Sequence, residues 1–551
     1  MADTSPFTLP DSVAKLGAFL RPAATAANSR QLFLEGGREA DQFYRQRWNH
    51  DRKVRSTHGV NCTGSCSWWV FVKNGVITWE TQAVDYPTTG PDMPEYEPRG
   101  CPRGAAFSWY TYSPTRIRHP YARGILLDYY REAKERLGDP VLAWRDVVED
   151  PEKSARYKSA RGRGGLVRCS WQEAMEIATA AHVYTTKRYG PDRMFGFSVI
   201  PAMSQVSYGA GSRFYELMGG SMLSFYDWYA DLPPASPEVF GDQTDVPESG
   251  DWYNSQYLIM WGSNVPQTRT PDAHFMTEAR YHGQKVVAVS PDFAANTKFA
   301  DEWLRVAPGA DGALAMAMGH VILKEFHVER QEPFFLDYMA KFTDSPFLVK
   351  LEEKDGSYVP GKFLTAAEGA AGPDLIDSEN AAFRTLGWAK ERGIVDPGGT
   401  SADHFGAEGM GKWNLEMEGV DPYLSADEIA GAEGVEILLP RFDLPATPEQ
   451  VSPGTGIVKR GVPAVKVDGN LVTTVYDILL AQYGVEREGI PGEWPTGYDD
   501  VDAVPTPAWQ ETHTGVPANA AVRIGREFAQ NAIDSKGRSM VILGAGVNHY
   551  Y

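Results

Sequence analysis

Apolar and polar positions along this chain follow two rhythms, and the change from one to the other near residue 115 marks its organisation. Before that point one stretch alternates, Trp68-Trp69-Val70-Phe71-Val72-Lys73 and Val76-Ile77-Thr78-Trp79, with Asn74-Gly75 between the halves. A period of two around Asn-Gly predicts a β-hairpin, because both turn residues need positive φ and these two tolerate it best. Beyond residue 115 the pattern becomes one of helices alternating with buried strands. Ser170-Trp171-Gln172-Glu173 is a capping box ahead of an amphipathic run ending at Tyr189, where Gly190-Pro191 stops the helix. The apolar run from Phe195 to Ile200 then reads as a buried strand. Strand, loop and helix recur at Leu258 to Trp261, followed by Gly262-Ser263-Asn264 and a helix starting near Thr270-Pro271-Asp272. They recur again at Val286 to Val289 with Ser290-Pro291-Asp292 behind, and Pro308-Gly309-Ala310-Asp311 opens a helix to about Phe326. Repeated βα units predict an α/β fold with doubly wound parallel sheets and ligands at the carboxyl ends of the strands. No G-x-G-x-x-G follows any of these strands, so a nicotinamide site is not expected.

These patterns divide the chain. Residues 1–45 lack periodicity and read as an arm that lies on something else. Residues 46–115 form a Gly- and Pro-rich strand-and-loop module, and residues 116–231 begin an α/β domain. Residues 232–345 carry the βα loops suited to a dinucleotide. The span 346–475, poor in periodicity and rich in Gly, Glu and Pro, is expected to be an irregular insertion, and α/β patterning returns over 476–551. The final run Ser539 to Leu543 enters a Gly-rich turn at Gly544-Ala545-Gly546. Half a βα unit leaves apolar surface and a sheet edge uncovered, so the chain is expected to continue past Tyr551.

Composition narrows the function. At 551 residues and 42% hydrophobic the chain can build several cores, and a formal charge of −19 argues against nucleic acid as a partner. No apolar run reaches the roughly 18 to 20 residues that span a bilayer. The best stretch, Ala313 to Leu323, is interrupted by Gly319 and His320. No basic flank and apolar core mark an export signal, so a cytoplasmic location is expected.

Three of the four cysteines join one histidine in a pattern with metal-binding spacing: His58, Cys62, Cys66 and Cys101. Soft ligands so arranged suit an iron–sulfur cluster or a zinc ion. The small and polar flanks Gly59, Asn61, Thr63, Gly64, Ser65 and Ser67 favour iron–sulfur, since backbone N–H groups can then approach a bulky cluster. Structural zinc, or plain core cysteines, remain alternatives from the residues alone. Cys101 opens Cys-Pro-Arg-Gly, and Arg103 places a fixed positive charge beside the last ligand. Four cysteines in so long a chain exclude a disulfide framework, and Cys169, standing alone, reads as a small buried hydrophobe. A second unusual segment, Ser224 to Pro237, packs aromatics, Asp227, Asp231 and three prolines into a stiff loop. By itself it is as readily a buried turn with capping carboxylates as a site.

The stretches Arg55 to Trp68, Glu97 to Gly104 and Asp227 to Pro237, with Asp245 to Ser249 and Trp261 to Asp272, resemble the nitrate reductase branch of the DMSO reductase family of molybdopterin enzymes. Members of this branch are catalytic alpha subunits of membrane-associated respiratory complexes. The likeness weakens over about 345–475 and then returns. It implies that His58, Cys62, Cys66 and Cys101 hold a [4Fe–4S] cluster in a small N-terminal iron–sulfur domain. It implies that Asp231 ligates molybdenum, that Arg103 lies between cluster and pterin, and that Asn61 counts with them among the catalytic positions. Gly262, Ser263, Asn264, Ser290, Asp292 and Asp311 would contact the tails of a molybdenum bis(molybdopterin guanine dinucleotide) cofactor. Ala310 stands where relatives commonly have Thr, a departure that leaves Asp311 in place.

The activity so implied is reduction of nitrate to nitrite in anaerobic respiration. Electrons would arrive from an iron–sulfur beta subunit and a membrane-anchored haem b subunit that oxidises quinol. The chain would then be cytoplasmic and held at the cell membrane through those partners. Two other readings stand beside this one: a sister enzyme acting on chlorate, perchlorate, selenate or nitrite, and a non-catalytic metal-binding scaffold.

Overall fold

The computed structural model describes residues 50–56, 66–92, 94–96, 100–197, 205–223, 235, 239, 249–368, 376, 380–396, 420–444, 456–544 and 546–548. The chain divides into two compact units, Met1–Tyr253 with Val265–Thr277, and Asn254–Asn264 with Glu278–Tyr551.

In the first unit β1 (Arg52–Ser56), β2 (Trp68–Lys73) and β3 (Val76–Gln82) form an antiparallel sheet in that order. The predicted hairpin joins β2 to β3 through Asn74 at φ 50° and Gly75 at φ 78°. Strand β1 escaped the sequence pattern because every residue in it is exposed, and its sequence, RKVRS, is mostly polar. Cation–π contact fastens it to the sheet, with Lys53 Nζ 3.9 Å from the Trp69 ring centroid. Next come β4 (Tyr121–Arg123), paired antiparallel with β5 (Leu166–Arg168), and four helices: α1 (Gly124–Leu137), α2 (Pro140–Glu149), α3 (Pro151–Ser159) and α4 (Trp171–Tyr189). Asp139, Asp150 and Ser170 each accept backbone N–H bonds at the starts of α2, α3 and α4, satisfying groups the helices leave open. The Ser170 cap and the stop at Gly190 are those the sequence predicts. Leu127, Tyr130, Ala133, Ala143 and Ile177 form the core here, and Cys169 lies among them at 7% exposure. Short parallel strands β6 (Phe195–Phe197) and β7 (Ser221–Leu223) follow, and the remainder of the expected strand, 198–200, lies outside the described residues. The helix expected from near Thr270 runs over Ala273–Ala279, and a separate short helix, Val265–Thr268, precedes it. Pro271 lacks an N–H and disfavours helical backbone at Thr270 before it.

The second unit is organised around four parallel strands in the order β10 (Glu302–Leu304), β9 (Lys285–Val289), β8 (Tyr257–Trp261) and β18 (Ser539–Leu543). All of β8 and all but the first residue of β9 are buried, the two-faced burial that parallel strands require. Tyr257, Ile259, Trp261, Val287 and Val289 share one core with Leu314 and Met318 of α5 (Asp311–Ile322). Between β10 and β18 the chain forms a closed barrel from β11 (Leu348–Lys354), β12 (Ser357–Phe363), β15 (Glu433–Pro440), β16 (Ile457–Val467) and β17 (Asn470–Thr474). The two remaining strands, β13 (Gly387–Ala389) and β14 (Gly393–Val395), pair with each other.

This barrel corrects the expected irregular insertion over 346–475. Strand β16 hides its nature by carrying Arg460, Gly461 and Pro463 in mid-strand. Arg460 is nevertheless only 2% exposed. Its guanidinium donates to the carbonyls of Ala481 at 2.9 Å and Gln482 at 3.0 Å, at the end of α6 (Val475–Gln482), and to that of Val504. Carbonyl oxygens at a helix C-terminus carry partial negative charge and replace the hydration that burial removes. At Gly461 a side chain would place Cβ 2.2 Å from the Pro491 carbonyl oxygen, so this strand needs glycine there. Two further helices, α7 (Pro507–Thr514) and α8 (Ala518–Ser535), lead to β18, and Ala521 and Ile524 of α8 complete the core beneath the parallel sheet. Among the described residues no helix is long and apolar enough to cross a membrane.

Two buried histidines give this unit a pH signature. Burial pushes His320 down to about 4, assisted by the nearby Arg460 and Lys324 charges, while its Nδ1 lies 2.7 Å from the Tyr483 carbonyl. Burial alone pushes His327 to about 4, with its ring stacked on Phe335. Unfolded histidine titrates near about 6.5, so between that pH and about 4 the unfolded chain binds more protons than the folded one. Both histidines therefore contribute stability above about pH 6.5 that is lost as the pH falls through this window. Urea unfolding across it should show a steep loss of stability on acidification. His320→Gln should make the slope shallower, and an unchanged slope would contradict the burial argument.

Candidate functional site

Two of the predicted metal ligands lie in the described part of the first unit. Cys66 is buried at 6% exposure just before β2, and Cys101 is half-buried just before the short helix Pro102–Ala105. Neither forms a disulfide with another described residue. The segments bearing them are brought together by one close contact. Trp68, two residues after Cys66, lays its ring on Gly100, the neighbour of Cys101, so that a Cβ at Gly100 would sit 2.2 Å from Trp68 Cζ2 and 2.7 Å from Gln82 Oε1. Gln82 also donates to the Ser67 carbonyl at 2.9 Å, and Ser67 N–H donates to the Tyr86 hydroxyl at 3.1 Å. Glu80, buried in β3, accepts the Ser108 N–H at 2.7 Å and fixes the chain just past Cys101. Arg103 is exposed and makes no ion pair among the described residues. His58, Asn61, Cys62, Asp227 and Asp231 lie outside the described residues, and among those described no group of three metal-ligating side chains occurs.

The second predicted set, all within the other unit, converges on the carboxyl ends of the parallel strands. Gly262, at φ 63°, turns the chain out of β8 while its N–H donates to the Val289 carbonyl at 2.9 Å. Ser263 is buried, and Asn264 Oδ1 accepts the Asn296 N–H at 3.1 Å. Ser290, at the end of β9, closes its own turn by donating from Oγ to the Asp292 carbonyl at 2.9 Å, leaving the Asp292 side chain exposed. Asp311, the first residue of α5, is 4% exposed and accepts the Trp261 indole N–H at 2.8 Å. Gly544, just past β18, donates its N–H to the Trp261 carbonyl at 2.9 Å. A Cβ at Gly544 would meet the Gly262 carbonyl oxygen at 2.6 Å and Ser263 Cα at 2.8 Å.

Bare backbone at Gly262 and Gly544 beside a buried carboxylate makes a cradle suited to the polar tail of a nucleotide cofactor. Sequence reasoning identified the first three loops and missed three participants: Trp261, Gly544 and Asn296. Trp261 reads as an ordinary end of a buried strand, and Asn296 has no motif. The glycines after β18 were visible as a turn, but their partner 282 residues earlier in the chain, Gly262, was not.

Glycine at 544 is a steric requirement, which separates it from glycine at 312 in the same unit, where a Cβ meets nothing within 4 Å. Gly544→Ala should destabilise the unit by about 1–3 kcal/mol through overpacking against Gly262. Gly312→Ala, in a helix, should be neutral or stabilising by up to about 1 kcal/mol. Denaturant unfolding of the two variants checks this, and equal effects would contradict the close approach.

Known proteins resemble this chain along most of its length. The molybdopterin oxidoreductase family matches residues 116–551. The chain is 60% identical over 549 residues to a nitrate reductase alpha subunit of Mycobacterium tuberculosis, covering 98% of this chain and 44% of that protein. It is 50% identical over 553 residues to the respiratory nitrate reductase 1 alpha chain of Escherichia coli, covering 97% and 43%. The chain thus spans under half the length of these curated relatives. Acetylene hydratase from Pelobacter acetylenicus is a distant structural match, with TM-score 0.34, 18% identity and coverage of 51% of this chain and 35% of that one. With the family match extending over most of its length, from the α-helical part of the first unit to the last strand, this chain belongs to the molybdopterin oxidoreductase family.

Proposed function

We propose that this chain forms the cluster-binding and cofactor-tail-binding part of a respiratory nitrate reductase, reducing nitrate to nitrite. The observation that carries this reading is 60% identity along 98% of the chain to a protein named as a nitrate reductase alpha subunit. The cradle at the strand ends supports it, because bare backbone and a buried carboxylate fit a large dinucleotide cofactor.

Each part of the chain has a task in this reading. Residues 46–115 are an iron–sulfur domain in which His58, Cys62, Cys66 and Cys101 hold a [4Fe–4S] cluster. The neutral imidazole of His58, in place of a fourth thiolate, leaves the cluster less negative and raises its potential. Arg103, exposed and unpaired among the described residues, has its guanidinium available to bridge cluster and pterin. Asp231 supplies the carboxylate ligand to molybdenum, and Asn61 counts with Asp231 and Arg103 among the catalytic positions. Gly262, Ser263, Asn264, Ser290, Asp292 and Asp311 hold the tails of a bis(molybdopterin guanine dinucleotide). Residues 116–231 and 476–551 are parts of an α/β molybdopterin domain, and 232–345 is the dinucleotide-binding α/β domain. When bound, the molybdenum group supplies the two-electron couple that converts nitrate to nitrite. Electrons come from an iron–sulfur beta subunit and a membrane-anchored haem b subunit, and these partners hold the chain at the cytoplasmic face of the membrane.

Two substitutions separate the roles. In the assembled enzyme Asp231→Ala should abolish nitrate reduction while the iron–sulfur signal in electron paramagnetic resonance persists. An active Asp231→Ala enzyme would overturn the ligand assignment. Cys101→Ala should lower the iron content of the purified protein, and full iron content would contradict its role.

A further inference from the structure

The bond between Trp261 and Asp311 does more than join a strand to a helix. Trp261 ends β8, is 4% exposed and is packed in the core beneath the parallel sheet, so its indole cannot swing. Its Nε1–H donates to one oxygen of Asp311, Oδ1, at 2.8 Å. The other oxygen, Oδ2, accepts no hydrogen bond from the described residues, and it is not among the fully buried atoms left without a partner. Gly546, beyond β18, comes close to the pair. A Cβ at Gly546 would lie 3.3 Å from Trp261 Cδ1 and 3.4 Å from Asp311 Oδ1.

An indole is only ever a donor. Whatever side chain stands at 311, Trp261 therefore claims an acceptor atom from it and leaves the second atom of the fork to face a ligand. We propose that Trp261 is a positioning residue for base recognition: it locks the Asp311 carboxylate so that Oδ2 presents a fixed acceptor to a base carrying N–H donors. Guanine, with N1–H and N2–H on one edge, meets that acceptor, whereas adenine presents an unprotonated N1 there. This inference rests on the reading of Asp311 as a contact for the nucleotide tail. It adds what selects the base and what aims the carboxylate.

The donor-only character of the indole predicts an unusual double-variant result. In Asp311→Asn, Trp261 should hold the amide oxygen and leave the NH2 group facing the base, opposing guanine. Adding Trp261→Phe frees the amide to turn its oxygen outward.

Calorimetric titration of the full chain with guanosine diphosphate and adenosine diphosphate tests this. The unaltered protein should prefer guanosine diphosphate. Trp261→Phe should weaken its binding by about tenfold, the worth of one charge-assisted hydrogen bond geometry. Asp311→Asn should weaken it further and abolish or reverse the preference, and the double variant should bind it more tightly than Asp311→Asn alone. A purely structural Trp261 would give the opposite order, with the double variant weakest, and that result, or equal binding, would overturn the inference. No binding of guanosine diphosphate by the unaltered chain would overturn the nucleotide-tail reading and the inference with it. Should Trp261→Phe fail to fold in thermal melts, Asp311→Asn decides alone: retained preference for guanosine diphosphate would contradict the locked fork.

Discussion

Parallel pairing of β8 with β9 and β18 places a constraint on everything around it. Parallel strands joined by crossovers are covered on both faces, and here β8 and β9 are buried almost throughout. A ligand can then reach the sheet only at its ends. At the carboxyl ends the chain turns outward, which gathers the loops at 262–264 and 290–292 and Gly544 in one place. Gly262 and Gly544 are needed because two such exits lie side by side, close enough that a Cβ on the second would overlap the first. The opposite ends are sealed by charge. Lys285 bonds Glu527, Tyr257 donates to the same carboxylate at 3.0 Å, and Arg523 bridges it to Glu302. One end of the sheet thus carries polar side chains and bare backbone, and the other is closed by paired ions.

The first unit solves a related problem with different material. A cluster-binding module has little apolar core of its own, so it depends on a few tight contacts between its loops. Trp68 against Gly100 is such a contact, and the Gln82, Glu80 and Tyr86 hydrogen bonds around it fix the chain on either side of Cys66 and Cys101. In both units the functional backbone approaches a neighbour more closely than any side chain permits.

Elements governed by local rules were legible in the sequence. The Asn74-Gly75 hairpin, the Ser170 cap, the parallel strands β8 and β9 and the helix opening at Asp311 each carry a signal within a few residues. What depended on distant partners was not. Strand β1 is polar and held by cation–π contact with the strand beside it. Strand β16 contains an arginine and a proline, and only the carbonyls of Ala481, Gln482 and Val504 explain how Arg460 is buried there. The same holds at the site: the loops at Gly262, Ser290 and Asp311 follow from βα logic, while the Trp261 bond to Asp311 links residues 50 apart in the chain. The ligand assignments of His58, Cys62 and Asp231 come from motif resemblance, and those residues lie outside the described part of the structure.

The central claim is that Cys66 and Cys101 belong to an iron–sulfur centre beside a molybdenum cofactor rather than to a zinc site. Elemental analysis of the anaerobically purified protein for iron, molybdenum and zinc tests it most directly. The account predicts about four irons per chain, the content of one cubane cluster, together with molybdenum. Stoichiometric zinc without iron would contradict it.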